Sequence, residues 1–130
     1  MLLGGKSNVR RFIKTALALV VLGALGVVIL LSFAPRQVTL NLANESGKPI
    51  SRVQVVDDRA TYNLDGIAAG QTLVFEFEPR GETTYRLIVT FADGSEVRGG
   101  DAYAEAGYVF TVAITEESVS SRFDAMWLFL

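Results

Sequence analysis

The sequence predicts one N-terminal transmembrane α-helix, then an all-β antiparallel sandwich of six to seven strands, then a short apolar C-terminal tail. Three observations predict it. Residues 15–34, "TALALVVLGALGVVILLSFA", carry no charge. From residue 36 to 115, short runs alternate apolar and polar residues, separated by turn clusters about every ten residues. No segment between residues 36 and 115 has a helical period. The organisation expected is a basic segment over 1–14, a helix over 15–34, a sandwich over 36–115 and a tail over 116–130.

The first element carries Lys6, Arg10, Arg11 and Lys14 and no acid, a charge of +4. Twenty helical residues rise about 30 Å, the depth of a bilayer's hydrocarbon core. The positive residues before such a helix would stay in the cytoplasm. That orientation places the C-terminal domain in the periplasm of a bacterial inner (plasma) membrane. A cleaved leader is disfavoured, because the uncharged run is longer than a signal h-region and Pro35 follows the best small-residue site, Ser32-Phe33-Ala34. Alternation begins within three residues of Ala34, so almost no linker separates helix and domain. The domain is therefore expected to lie against the bilayer.

The strands follow in order. "QVTLNLA" puts Val38, Leu40 and Leu42 on one face, and "NESGKP" (44–49) is a turn cluster. "ISRVQVV" (50–56) is a strand, and "DDRATYNLDG" (57–66) a polar loop with room for a short strand at its centre. "QTLVFEFE" (71–78) turns Leu73, Phe75 and Phe77 inward, and "TTYRLIVTF" (83–91) does the same with Tyr85, Leu87, Val89 and Phe91. "ADGS" is a hairpin turn, and "EVRGGDAYA" (96–104) returns with a bulge at Gly99-Gly100. "YVFTVAIT" (108–115) turns Tyr108, Phe110, Val112 and Ile114 inward. This spacing suits an immunoglobulin-like or transthyretin-like sandwich. The layout, with its "FADG" turn, is similar to that of small bacterial envelope proteins. It carries no family motif, and no functional residue is transferred from the likeness.

Composition narrows the chemistry. The chain has no Cys and no His, so disulfides, the usual zinc and copper ligand sets and His-based catalytic groups are excluded. No cofactor, small-molecule substrate or enzymatic activity is expected. Asp57, Asp58, Asp65, Asp93 and Asp101 are oxygen ligands that would suit calcium, but they lack EF-hand spacing and are read as turn formers. Beyond Pro35, eight basic residues stand against all fourteen acids, a net −6 that disfavours nucleic acid. Asn44-Glu45-Ser46 matches a glycosylation sequon.

The tail is the strongest candidate site. Phe123, Met126, Trp127, Leu128, Phe129 and Leu130 end the chain. As a helix, Val119, Phe123, Met126, Trp127 and Leu130 form one stripe; as a strand, neither face is free for water. The tail is expected to pack on its own sandwich, on a membrane partner or in the lipid interface, and its acids count against lipid. The partners implied are the membrane lipid bilayer and an integral membrane protein complex. Together these features predict a non-catalytic accessory or assembly subunit of a bacterial inner-membrane complex. The alternative is an anchored module binding glycan, peptide or ion.

Overall fold

The structure, a computed structural model, describes the backbone of residues 3–32 and 36–126 and the side chains of residues 8–25 and 36–126. It divides into two units, residues 1–34 and 35–130.

The first unit is one helix, α1 (Leu3–Ser32). Arg10, Arg11 and Lys14 fall within its described side chains. Among the described residues no helix is long and apolar enough to cross a membrane. The expected transmembrane helix is therefore corrected. With it go the single-pass inner-membrane localisation, the periplasmic placement of the domain and its apposition to a bilayer.

The second unit is a two-sheet β domain. Its strands are β1 (Val38–Asn44), β2 (Ile50–Val56), β3 (Thr61–Leu64), β4 (Thr72–Phe77), β5 (Thr83–Phe91), β6 (Glu96–Ala104), β7 (Tyr108–Ile114) and β8 (Val119–Met126). One sheet has the order β4-β1-β7-β8 and the other β3-β2-β5-β6. Two details depart from the six-to-seven-strand antiparallel expectation. The start of the tail supplies an eighth strand, and β1 pairs with β7 in parallel, Leu40 opposite Phe110 and Leu42 opposite Val112. β1 lies between β4 and β7, so its inward residues are covered from both sides. Val38, Leu40 and Leu42 are fully buried.

The core is the product of the alternation. Val53 and Val55 from β2, Tyr85, Leu87, Val89 and Phe91 from β5, and Phe110, Val112 and Ile114 from β7 are buried between the sheets. Phe77 meets Tyr85 edge-on at 6.2 Å, and Tyr85 meets Phe110 at 5.3 Å. Such pairs add to the burial of their area.

β6 and β8 close one side of the sandwich. A Cβ on Gly99 would stand 2.9 Å from the Val119 carbonyl oxygen, and one on Gly100 would stand 3.0 Å from a Val119 methyl, so this bulge brings the two edges together. The Ser121 hydroxyl donates to the Gly100 carbonyl at 2.6 Å and accepts from the Tyr85 hydroxyl at 2.9 Å. Burial pushes the Tyr85 phenol up to about 12, and the Ser121 bond opposes that only in part. Ser121→Ala strands this phenol and is expected to cost about 1–2 kcal/mol in chemical unfolding. Adding Tyr85→Phe should recover most of that loss. A double variant as unstable as the sum of the two single variants would refute the pairing.

The β5–β6 hairpin closes as its Asp-Gly sequence predicts. The Ser95 amide donates to Asp93 at 2.9 Å, and Lys48 Nζ lies 3.0 Å from the same carboxylate. The Ser95 hydroxyl, then its amide, then the Lys48 ammonium hold the Asp93 carboxyl well below its ordinary 3.8. The folded chain thus binds that proton more weakly than the unfolded chain. The contribution is present above about pH 4 and is lost as pH falls further. Asp93→Asn is expected to flatten the melting-temperature profile between about pH 4 and pH 2. Parallel profiles for variant and wild type would remove the effect.

Candidate functional site

The expected site residues fall into three groups. Trp127, Leu128, Phe129 and Leu130 lie outside the described residues, as does the side chain of Lys6. Arg10, Arg11 and Lys14 are exposed on α1. Their role as orienting charges rested on a membrane span. Phe123 and Met126 belong to β8, so of the two geometries open to the tail, Val119–Met126 takes the extended one.

A bulge decides where those two residues sit. Phe123 stands opposite Phe110 and Met126 opposite Tyr108, with a register shift between Val109 and Phe110. Simple alternation would separate positions 123 and 126 onto different faces. The shift returns both to the face of Phe110 and Tyr108. The extra residue, Asp124, accepts hydrogen bonds from Thr111 and, at 3.0 Å, from Arg122. Its carboxyl is held low, first by Thr111 and then by Arg122.

Around Phe123 an aromatic corner is open to solvent. Phe123 is 51% exposed and Tyr103 48%. Tyr108 lies 5.1 Å from Phe123 at 67°, and 6.4 Å from Tyr103 at 70°. Phe110, buried, backs Phe123 at 5.7 Å. The hydroxyls of Tyr103 and Tyr108 both donate to the carboxylate of Glu105, the latter at 3.3 Å. Both phenols are pushed up, Tyr103 chiefly by its bond to Glu105 and Tyr108 chiefly by burial; Glu82 adds to each. Tyr103, Glu105 and Glu82 were not singled out from sequence. Their signal is "YAEAGY", two tyrosines bracketing a glutamate in a turn whose Tyr108 amide returns to the Glu105 carbonyl at 3.1 Å.

The loop aspartates do turn chemistry. Asp57 Oδ1 accepts from the amides of Arg59 and Ala60 at 2.8 and 2.7 Å. Asp101 falls within β6 rather than in a loop. Among the described residues no three acids are grouped as a metal would need. Two clefts open beside Asp57. One of about 280 Å³ is lined by Asp58, Thr84, Arg86 and Asp101, and one of about 590 Å³ by Arg59, Tyr62, Glu78 and Arg80. The sequon is also resolved: Asn44 is buried, and its Nδ2, the atom a glycan would need, is bonded to two carbonyls.

The fold and these surfaces define a small two-sheet β-sandwich domain. No family model matches the chain, and no curated protein matches it. The chain is similar to the NMR structure of a protein from Eubacterium rectale, with 15% identity and a TM-score of 0.54, covering 68% of this chain and 88% of that one. At that identity the likeness is one of fold.

Proposed function

We propose that this chain is a non-catalytic accessory or assembly subunit that joins a protein complex through α1. The observation that supports it is the apolar surface of the helix. Val9, Phe12, Ile13, Leu17, Val20, Leu22 and Leu25 are each more than half exposed, and at 100° per residue they spread round the whole helix. A helix apolar on every side needs covering on every side, which several partner elements together provide.

The alternative, a ligand-binding module, is supported by the 590 Å³ cleft with Arg59 and Arg80. Photo-crosslinking in the native cell separates the two. A photoreactive residue at Leu17 is expected to give a protein adduct of discrete mass, and one at exposed Arg59 none. If Leu17 gives no adduct, the subunit reading fails. Adducts from Arg59 alone favour the binding module.

A further inference from the structure

We propose that the corner formed by Tyr103, Tyr108 and Phe123, with Glu105 and Glu82 beside it, receives an arginine or lysine side chain from a basic segment of a partner protein. The inference does not depend on what covers α1.

Three observations carry it. First, the rings form walls rather than a platform. Tyr108 meets Phe123 at 67° and Tyr103 at 70°, so its face is coplanar with neither neighbour for a flat sugar to stack across. A cation needs only to come within about 6 Å of ring centroids. With centroids 5.1 and 6.4 Å apart, one cation can reach more than one ring.

Second, the corner is negatively charged and no cation among the described residues pairs with it. The ion pairs among the described residues join Lys48, Arg98 and Arg122 to other acids, and none reaches Glu105 or Glu82. Glu105 is held by two phenol hydroxyls, which fix its position and leave its charge in place. Third, the chain beyond Pro35 has a net charge of −6, a field that draws basic segments in and repels acidic ones. A guanidinium suits this corner well, since it stacks on an aromatic face while donating to a carboxylate at its edge.

The test is a two-dimensional NMR titration of the full chain with acetyl-tetraarginine amide, beside tetraglutamate and maltohexaose. Tetraarginine is expected to give saturable shifts at Tyr103, Tyr108 and Phe123 that weaken as salt is raised. Tetraglutamate and maltohexaose should leave these residues unmoved. Glu105→Gln keeps one oxygen to accept a phenol bond and loses the charge. It and Tyr103→Leu are each expected to weaken binding about three- to fivefold. The proposal is overturned if tetraarginine gives no saturable shift there, or if Glu105→Gln binds as well as wild type. It is also overturned if maltohexaose moves the same residues and tetraarginine does not, which would make the corner a glycan site.

Discussion

Asn44→Ala is expected to lower stability by about 3 kcal/mol, among the largest single losses available outside the apolar core. The side chain is 1% exposed and makes four hydrogen bonds. Its Nδ2 donates to the carbonyls of Lys48 at 2.7 Å and Ile67 at 3.0 Å. Its Oδ1 accepts from the Ser46 amide at 3.1 Å and the Ser46 hydroxyl at 2.6 Å. Its own backbone adds bonds to Gln71 and from Gly70. One residue thus ties the end of β1 to the β1–β2 turn and to the segment leading into β4. Truncation removes all four side-chain bonds, each worth about 0.5–1.5 kcal/mol net, while the Ile67 carbonyl keeps its bond from the Ile50 amide. In a domain of this size the melting temperature should fall by roughly 15 °C. Asn44→Asp provides the control. It is isosteric and keeps the acceptor, but it turns a carboxylate oxygen toward two carbonyls, so it should be no better than alanine. An aspartate variant within 1 kcal/mol of wild type would show that the donor bonds contribute little.

The same residue marks how far the sequence is legible. Asn44 in "NESGKP" is readable as a turn former because its side chain type favours turns. Its burial is not readable, since that depends on Ile67 and Gln71 arriving from elsewhere in the chain. The strands themselves were legible. Period-two alternation in "TTYRLIVTF" and "YVFTVAIT" states which face is buried, and the structure buries Tyr85, Leu87, Val89, Phe110 and Val112 accordingly. The pairing of β1 with β7 was not, because alternation is identical in parallel and antiparallel ladders. The uncharged run 15–34 suggested a span, whereas among the described residues no helix is long and apolar enough to cross a membrane. At the candidate site Phe123 was legible as unusual apolar surface. Its neighbours Tyr103 and Glu105 were not, because the Asp124 bulge and the β6 edge that assemble the corner are properties of strand register.

Gly66→Ala is the second large effect, and its cause is close approach rather than backbone conformation. "NLDG" has the look of a turn whose glycine supplies a left-handed residue. The glycines with positive φ, however, include Gly47 and Gly70 but not Gly66. At Gly66 an added Cβ would lie 2.4 Å from the Ile50 carbonyl oxygen. That oxygen is committed, since it accepts from the Ile67 amide at 3.0 Å while the Ile50 amide donates to Ile67 at 2.9 Å. The methyl must push two backbone segments apart by close to 1 Å, breaking this pair of bonds and lifting Ile50 and Ile67, each 3% exposed, from the core. The expected cost is about 3 kcal/mol, at the upper end of overpacking losses. Gly47→Ala is the comparison that isolates the cause. Gly47 has φ +76 and nothing within 4 Å of the added carbon, so alanine there meets only the left-handed backbone penalty of about 1–2 kcal/mol. Chemical unfolding of the two variants side by side should rank Gly66→Ala as clearly the more damaging. Equal losses would mean that the Ile50–Ile67 bridge yields to the methyl, and that the end of β2 is held by Asn44 instead.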